Sequence, residues 1–402
     1  MEILYIGSIC DAKVFADRVE NSQIKPSSAP QSFEGAILKG FRSQSVVNLT
    51  AISAESIAPY PHGRELLLKR RTDVIEGYGI SILPAINLPV LKQFSHAFNA
   101  RRMVNKWLKD TDGKQRCILM YGIYPAMAKA VLEESHRHNC KVAAIVTDVP
   151  AAMMTYSKPQ YYLKAKLGQK NKEMALKVQS QFDAYVYITK QMANIVGPGK
   201  PYHVMEILVD TSIVSLDNKL NKANPPALMY AGTLFKKYGI DHILEVFGKV
   251  TVDCQLWLFG SGDYEEEIKA AAAKDSRIKF FGRVDRETIM KKEQEASLLL
   301  NLRNPEDDYT RYSFPSKMIE YMISGTPMLT TKLPGIPDEY YDYVYTVDYD
   351  FDRMAQMIDD ILNNSPEKRQ ELGKKAQNFV IKNKNCECQI KKMVDFLRKQ
   401  TN

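Results

Sequence analysis

Short runs of apolar residues alternate along the chain with longer segments in which apolar residues recur every three or four positions. Runs such as KVAAIVT (141–147) and ALMYA (227–231) are apolar almost throughout, which is typical of strands buried on both faces of a parallel sheet. The longer segments have the period of amphipathic helices. The alternation of strand and helix therefore predicts an α/β fold with parallel sheets.

The predicted elements form two successive sets, separated by the polar stretch 211–225. Strands are expected at 3–7, 45–49, 79–83, 116–120, 141–147, 183–189 and 203–209, and then at 227–231, 255–260, 278–282, 298–300 and 343–347. Helices are expected at 31–41, 91–109, 125–138, 240–250, 264–274, 313–324, 350–363, 365–383 and 387–399. Residues 11–30 are polar and rich in Ser and Pro, so a loop is expected there.

The length of the chain supports the same division. A chain of 402 residues is too long for one ordinary core and suits two domains of about 200 residues each. We expect an N-terminal domain at 1–210, a linker at 211–225, a second domain at 226–384 and a terminal helix within 385–402.

Composition narrows the class of protein. Hydrophobic residues make up 45% of the chain, which indicates a globular protein, and no apolar run is long enough for a spanning helix. The start MEILYIGSI reads as a strand and lacks the basic start of a signal peptide, and the six scattered cysteines are expected to be reduced thiols. We therefore expect a cytoplasmic protein.

The net charge of +8 favours an anionic partner. The segment 158–177 (KPQYYLKAKLGQKNKEMALK) is basic and contains two adjacent tyrosines, so peripheral contact with the inner membrane surface is one interpretation. An ordinary solvated helix face is the other. No nucleic-acid-reading module is recognisable, and nucleic acid is not expected as a partner.

The stretch 301–327 (NLRNPEDDYTRYSFPSKMIEYMISGTP) predicts a binding site for an anion. It reads as the end of a buried strand, a charged loop, and a helix that opens at 313–316 and ends at Gly325. Free backbone N–H groups at a helix N-terminus attract anions, and Arg303 and Lys317 add charge. Glu320 follows at helical spacing and offers an acceptor for sugar hydroxyls. These features together suit a sugar nucleotide.

The segment SFPSKMIEYMISGTPML resembles the donor-site helix of the retaining GT-B glycosyltransferases, and specifically a family 4-like subgroup of bacterial surface-polysaccharide enzymes. That family carries two Glu residues separated by seven positions; here the second is Glu320 and the first is replaced by Tyr312. The resemblance implies two Rossmann-like domains facing across a cleft, with the terminal helix of 385–402 crossing back to the N-terminal domain. It also implies a donor site at Tyr312, Ser313, Phe314, Pro315, Ser316 and Lys317.

The resemblance extends over 225–345, through YAGTLFKKYGI, LWLFGSGDYEE and IKFFGRV. It places the donor diphosphate beside the turn 232–239, which includes Gly232, and beside Gly260, and it places the nucleobase beside Arg283 and Val284. The family's Arg and Lys in that turn are replaced by Thr233 and Tyr238. Lys236 or Lys237, with Arg303, are candidates to supply the missing charge, because a flexible lysine can reach a phosphate. Exposed turn residues are the alternative reading of both lysines.

The first half of the chain offers weaker candidates. Gly7 ends the first strand and is a candidate for contact with a phosphate, because ligands bind beyond the carboxyl ends of parallel strands. Asp148 follows the strand 141–147 and is a candidate acceptor-side polar group or base; a loop-capping role is as plausible. Gln31 and Ser32 are candidate acceptor-site residues, although solvated loop residues are the more common case. His136 and His138 are expected to be exposed.

The resemblance implies transfer of a hexosyl group, with retention, from a nucleotide-diphosphate sugar to a saccharide or lipid-linked saccharide. Asp148, Lys237, Arg303 and Glu320 are the candidate catalytic residues. No cofactor is expected, and protein cations rather than a metal are expected to neutralise the diphosphate. Two alternatives stay open: a non-catalytic subunit that binds a nucleotide sugar, and a GT-B epimerase acting on the sugar nucleotide itself.

Overall fold

The structure, a computed structural model, describes residues 1–149, 172–211 and 221–401. The predicted basic segment 158–177 and the predicted linker 211–225 therefore lie largely outside the described residues. The chain divides into two compact units, one formed by Met1–Leu208 with Cys386–Asn402 and the other by Val209–Asn385. In the part of the chain that the structure describes, no helix is long and apolar enough to cross a membrane.

The first unit is built on an eight-stranded sheet with the order β10-β9-β8-β7-β1-β2-β5-β4. Its strands are β1 (Glu2–Gly7), β2 (Asn48–Ser53), β4 (Arg71–Ile75), β5 (Tyr78–Ile82), β7 (Arg116–Tyr121), β8 (Lys141–Val146), β9 (Ala184–Tyr187) and β10 (Tyr202–Val204). All neighbours are parallel except β4 and β5. The order reverses at β1, which lies between β2 and β7, so ligands are expected at its carboxyl end.

A small second sheet in this unit pairs β3 (Leu67–Leu68) with β6 (Ala85–Ile86) in antiparallel orientation. The helices of the unit whose two ends lie within the described residues are α1 (Ala12–Asn21), α2 (Ala29–Arg42), α3 (Leu91–Asp110), α4 (Pro125–Arg137) and, after the second unit, α11 (Cys386–Gln400). Residues 172–179 are also helical. The core fills the space between the large sheet, α2 and α11, with Ile37, Phe41, Ile390 and Met393 almost completely buried.

The second unit has a fully parallel six-stranded sheet with the order β13-β12-β11-β14-β15-β16. The strands are β11 (Ala227–Ala231), β12 (Gln255–Phe259), β13 (Ile278–Gly282), β14 (Leu298–Asn301), β15 (Met328–Thr331) and β16 (Tyr345–Val347). The helices are α5 (Ile240–Phe247), α6 (Glu265–Lys274), α7 (Arg286–Glu295), α8 (Ser316–Ser324), α9 (Phe351–Asn363) and α10 (Pro366–Asn383). Order reversal at β11 again marks the carboxyl edge of the sheet as the place for a ligand.

Helix α11 packs against α2 at very short range. A Cβ atom on Gly40 would lie 2.4 Å from Ile390 Cγ1 and 2.5 Å from the Cys386 carbonyl oxygen. A glycine is therefore required at position 40, because any side chain would push the two helices apart. The last helix of the chain is thus part of the first unit.

Several sequence predictions are corrected by the structure. The predicted loop 11–30 contains α1, whose N-terminus is capped by the Asp11 carboxylate accepting from the backbone N–H of Lys13 and Val14. Arg18 is its one buried residue among those described, so the helix lacks the apolar stripe that would have revealed it. The predicted strands 45–49 and 203–209 are instead Asn48–Ser53 and Tyr202–Val204.

Strand β4, which forms a hairpin with the predicted strand 79–83 (β5), was also missed. The two-residue turn of this hairpin is formed by Glu76 and Gly77, both with positive φ (50° and 82°), which fits a primed hairpin turn. Glu is uncommon at such a position, so the turn did not stand out in the sequence.

Candidate functional site

In the six-stranded sheet of the second unit, the loops that follow the carboxyl ends of β11 and β12 are in close backbone contact. Gly260 follows β12 with a φ of 131°, and a Cβ there would lie 1.8 Å from the Gly232 carbonyl oxygen. A Cβ on Gly262 would lie 2.2 Å from the Leu234 carbonyl oxygen. The backbone N–H of Leu234 donates to the Ser261 carbonyl at 3.0 Å. Glycine is required at both positions, because only glycine lets the two loops approach this closely.

The turn after β11 exposes Thr233 and both lysines. The Lys236 ammonium lies 3.6 Å from an Asp241 carboxylate oxygen, an exposed ion pair of small energetic worth. The Lys237 ammonium lies 4.9 Å from the ring centroid of Tyr238, and its backbone carbonyl accepts a hydrogen bond of 2.7 Å from the Tyr309 hydroxyl. The backbone of Lys237 is thus held by a hydrogen bond, while its ammonium group makes a cation–π contact with the Tyr238 ring.

Arg303 lies at the same ring. Its guanidinium carbon is 5.0 Å from the Tyr238 centroid, and its Nε is buried without a hydrogen-bond partner among the described residues. Two cations from different loops are therefore gathered at Tyr238, the residue that replaces the expected lysine. A buried donor without a partner is rare in a native structure and indicates that an acceptor belongs there. The sequence predicted that Lys236 or Lys237, together with Arg303, supplies the positive charge beside the diphosphate. It did not predict a role for the Tyr238 ring.

The N-terminus of α8 lies at the same sheet edge. The helix begins at Ser316, after Pro315, and no described side chain caps it. The Met318 N–H donates to the Pro315 carbonyl at 2.8 Å, which leaves the N–H groups of Ser316 and Lys317 available to an anion. Ser313 Oγ is buried and has no partner among the described residues. Phe314 is buried against Tyr340, with ring centroids 5.3 Å apart, and Tyr312 is half-buried just before it. The predicted helix start at 313 is corrected to 316.

Tyr321 fixes α8 to the sheet. Its hydroxyl accepts from the Ala231 backbone N–H at 2.8 Å and lies 3.2 Å from the Ala231 carbonyl oxygen, at the end of β11. Gly335 packs closely against the loop that precedes α8, since a Cβ there would lie within 2.5 Å of the carbonyl oxygens of Ser313 and Thr310. Neither contact could be predicted from the sequence, where Tyr321 and Gly335 are an ordinary tyrosine and glycine.

Lys317 and Glu320 form an ion pair with each other, one turn apart on α8. Glu293 of α7 is buried close enough to this ion pair to interact with both of its charges, and its Oε1 has no partner among the described residues. Burial raises the pKa of Glu293 to about 8; the charge of Lys317 lowers it and that of Glu320 raises it further. Lys317 is therefore engaged by a neighbouring carboxylate, and the sequence missed Glu293 completely.

Arg283 and Val284 follow β13, where Gly282 has a φ of 66° and its carbonyl accepts from the Gly260 backbone N–H at 2.8 Å. Arg283 is exposed and Val284 half-buried. The bond places this turn beside the Gly260 loop. Thus the loops after β11, β12 and β13 and the start of α8 all lie at one edge of the second sheet.

The first unit contains a separate cavity of about 770 Å³ beyond the carboxyl ends of β2, β7 and β8. Its walls are mostly apolar, with Leu88, Val90, Ile123 and Met127 among the lining residues. Such a pocket, with few polar groups, is the usual form of a small-molecule site.

Asp148 is one of the polar lining residues, and desolvation raises the pKa of its carboxyl. Lys92 and His96 line the wall on α3. Burial lowers the pKa of Lys92 to about 8, and burial together with the Lys92 charge lowers that of His96 to about 4. His96 is therefore neutral at pH 7, and its buried Nε2 has no partner among the described residues. Neither Lys92 nor His96 was singled out from the sequence.

A buried carboxylate occupies the space beside Gly7. Glu34 accepts from the Ser8 backbone N–H at 2.9 Å and from the Tyr5 hydroxyl at 2.8 Å, and its Oε2 lies 2.0 Å from where a Gly7 Cβ would be. Burial raises its pKa to about 7, against the lowering effect of these hydrogen bonds. The glycine therefore makes room for Glu34. A glutamate sharing a helix face with Ile37 and Phe41 was the signal in the sequence.

Of the remaining first-unit candidates, Ser32 and His136 are exposed and Gln31 and His138 are half-buried. The Gln31 side chain accepts from the Cys10 backbone N–H at 3.1 Å and donates to the Ser8 carbonyl at 3.3 Å, so it braces the loop after β1. His136 is exposed, as predicted, with Nε2 3.0 Å from an Asp183 oxygen, while His138 is half-buried. No three His, Cys, Asp or Glu side chains within 1–149, 172–211 and 221–401 are grouped to hold a metal ion.

Comparison with known proteins gives one family match. Residues 215–379 match the profile of the family described as Glycosyl transferases group 1. No curated protein sequence matches the chain closely enough to count as a relative.

Solved structures of similar fold cover the whole chain. Anabaena Alr3699/HepE in complex with UDP has a TM-score of 0.60 and 14% identity over 99% of this chain and 100% of that one. The lipopolysaccharide outer core galactosyltransferase WaaB has a TM-score of 0.60 and 13% identity, with both chains covered completely. Sucrose-phosphate synthase from Thermosynechococcus elongatus has a TM-score of 0.60 and 14% identity over 99% and 98%. Identities this low establish the fold alone. The chain has the GT-B fold of two Rossmann-like units, and its residues 215–379 are similar to the glycosyl transferases group 1 family.

Proposed function

We propose that this protein is a retaining glycosyltransferase that moves a hexosyl group from a nucleotide-diphosphate sugar to a saccharide or lipid-linked saccharide. The observation that carries the proposal is the gathering of Lys237 and Arg303 at the Tyr238 ring, at the sheet edge that also presents the uncapped start of α8. Cations and free N–H groups are what a diphosphate requires. This edge belongs to the unit that matches the glycosyl transferases group 1 family.

The chemistry requires stabilisation of a leaving diphosphate. The bond between the sugar C1 and the diphosphate oxygen breaks, and a bond from C1 to the acceptor oxygen forms on the same face. The acceptor's proton passes to the departing phosphate oxygen, so no protein carboxylate has to form a covalent intermediate. Negative charge grows on the diphosphate, and the Arg303 and Lys237 cations with the N–H groups of α8 are the proposed stabilising groups. With these groups no metal ion is required.

Glu320 and Lys317 are proposed to act together in donor binding. Their ion pair fixes the Glu320 carboxylate on the first turns of α8, beside the proposed diphosphate site. A carboxylate so held can accept hydrogen bonds from ribose or sugar hydroxyls.

The acceptor is proposed to bind in the cavity of the first unit. Its apolar walls suit a partly apolar acceptor such as a lipid-linked saccharide, and Asp148 is the proposed polar contact for a sugar hydroxyl. A role in bacterial surface-polysaccharide synthesis, with a cytoplasmic location at the membrane, is part of the same proposal. It rests on the sequence resemblance and the net positive charge.

A thermal-shift series tests the donor site. UDP, GDP, ADP and their sugars are added with and without EDTA; the solved structure of Alr3699/HepE holds UDP, which makes UDP the first probe. A ligand at 100 times its Kd stabilises the folded state by about 2.7 kcal/mol. Arg303→Ala should weaken binding at least tenfold, while Arg353→Ala, an exposed arginine of the same unit, should not. No stabilisation by any nucleotide at millimolar concentration would contradict the proposal.

Two other outcomes identify the alternatives. Binding without turnover on any saccharide acceptor would favour a non-catalytic subunit. Epimerisation of the sugar nucleotide without an acceptor would favour an epimerase.

A further inference from the structure

Helix α3 has an outward face that is apolar at its start and basic further on. Its exposed positions recur every three or four residues, and Leu91, Phe94 and Phe98 have 48%, 53% and 62% of their surface exposed. Arg102 and Lys106 continue the exposed face. Single exposed apolar residues are ordinary, but a helix that turns two phenylalanines and a leucine outward in one stripe is not.

The small sheet of β3 and β6 extends this apolar face. Leu67 is paired with Ile86, and they are 61% and 42% exposed. The sheet and its flanking residues contact α3: the Ile86 backbone N–H donates to Ser95 Oγ at 3.4 Å, the Asn99 side-chain amide donates to the Pro84 carbonyl at 3.0 Å, and Arg70 Nη2 lies 2.9 Å from Met103 Sδ. We call Leu67, Ile86, Leu91, Phe94 and Phe98, with their flanking cations, the docking surface.

The exposed charges on the outward face of α3 are positive, because Arg102, Lys106 and Lys109 are exposed and the helix has no acidic residue before Asp110. Its other two cations lie away from this face: Lys92 lines the cavity, and Arg101 pairs with glutamates of α4. The Arg102 guanidinium lies 5.9 Å from the centroid of the Phe98 ring. Lys69 and Arg70 are exposed beside Leu67. Apolar residues ringed by cations are the pattern of a surface that enters the headgroup region of an anionic membrane.

We propose that the docking surface binds an anionic lipid bilayer. The apolar side chains enter the boundary between headgroups and acyl chains, and the cations contact lipid phosphates. A second copy of this chain fits less well, because a two-fold interface would set the same cations against each other. A bilayer offers both the apolar layer and the opposite charge.

The docking surface lies beside the cavity of the first unit. Val90 is exposed and also lines the cavity, and Lys92 and His96 on the other side of α3 form part of the cavity wall. Binding at the docking surface would therefore hold the cavity mouth at the membrane, where a lipid-linked acceptor resides. This last step rests on the proposed function; membrane binding itself does not.

Vesicle sedimentation tests the proposal with the whole chain. Phosphatidylcholine vesicles with and without 30% phosphatidylglycerol are used at 0.1 M and 0.5 M salt. We expect binding to the anionic vesicles that falls at high salt. Phe94→Ser combined with Phe98→Ser should lower the partition coefficient at least tenfold, and so should Arg102→Glu combined with Lys106→Glu.

Matched controls come from the second unit. Phe281→Ser removes another exposed phenylalanine, and Lys274→Glu with Lys279→Glu reverses two exposed lysines. These variants should bind like wild type. Unchanged melting temperatures verify that the docking-surface variants fold. Because the two double substitutions are independent, one of them still tests the proposal if the other does not fold.

Three results would overturn the proposal. Wild type could fail to bind anionic vesicles, the docking-surface variants could bind as well as wild type, or Phe94→Ser with Phe98→Ser could dissociate a dimer seen in light scattering. Failure of the donor site would be seen separately, as loss of the UDP thermal shift with vesicle binding intact.

Discussion

At the scale of single residues, buried carboxylates are the feature that is hardest to predict from the sequence. Glu34 and Glu293 are both almost fully buried, and both are surrounded by residues that look ordinary in the sequence. By contrast Lys237 and Arg303 were identified because a resemblance pointed to missing charges nearby. The aromatic ring between them was not identified, because an aromatic contact of this kind depends on two loops that are 65 residues apart, at 238 and 303.

Glu34→Ala should destabilise the protein by about 1–3 kcal/mol. The substitution leaves the Ser8 backbone N–H and the Tyr5 hydroxyl buried without an acceptor. Urea unfolding measures the effect, with Glu133→Ala, an exposed position on α4, as the control that should change stability by less than about 0.5 kcal/mol. Equal effects of the two substitutions would contradict the role assigned to the Glu34 carboxylate.

Glu293→Gln should stabilise the protein at high pH. The folded state raises the pKa of Glu293 to about 8 from an ordinary value of 4.5, so the folded protein holds a proton that the unfolded chain releases. Stability therefore falls as pH rises from about 4.5 to 8, and the neutral amide removes this loss. Unfolding free energies measured at pH 5, 7 and 9 should show an advantage of the variant over wild type that grows with pH, of order 1–3 kcal/mol at pH 9.

Glu306→Gln, an exposed position in the same unit, serves as its control and should show no such trend. A constant difference between Glu293→Gln and wild type at all three pH values would show that the Glu293 carboxyl is ionised throughout.

At the scale of elements, the apolar pattern was a good guide to what is buried and a poor one elsewhere. The strands at 116–121 and 227–231 were predicted within one residue, because every side chain there except Arg116 is buried. Helix α1 and strand β4 were missed, because they lie at the surface and have weak apolar patterns. The start of α8 was placed three residues early, since Ser313 and Pro315 look like a helix opening while Pro315 itself still has an extended backbone.

Gly260→Ala should disrupt the sheet edge that carries the candidate donor site. The added methyl would meet the Gly232 carbonyl oxygen at 1.8 Å, in a backbone conformation that favours glycine. We expect a loss of about 3 kcal/mol or more in unfolding free energy and loss of any UDP thermal shift. Gly35→Ala, on α2 with no atom within 4 Å of the new methyl, should be neutral or slightly stabilising. A variant of wild-type stability would show that the two loops can separate at little cost.

At the scale of the whole molecule, the division into two units does not follow chain order, because α11 belongs to the first unit. The sequence gives two tryptophans, Trp107 in the first unit and Trp257 in the second. Each unit can therefore be followed by fluorescence in a variant that keeps one tryptophan. The sequence resemblance predicted a terminal helix that crosses back to the N-terminal domain, but the sequence could not show how closely Gly40 lets that helix approach α2.

Ile390→Ala should destabilise the first unit selectively. Ile390 is completely buried against α2, so the cavity left by truncation should cost about 2–5 kcal/mol. In a Trp257→Phe background the Trp107 signal should change at lower urea than without the substitution, and in a Trp107→Phe background the Trp257 signal should be nearly unaffected. Equal shifts of both signals would show that the two units unfold together.

The position of α11 also sets an order of events during synthesis. Residues 1–208 leave the ribosome first, yet their core lacks Ile390, Met393 and Leu397 until the whole second unit has been made. The nascent first unit therefore carries an open apolar face on α2 while residues 209–385 are translated, at about 5–20 residues per second. The unit that is synthesised second can complete its fold first, and the one synthesised first must wait about ten seconds or more for its last helix.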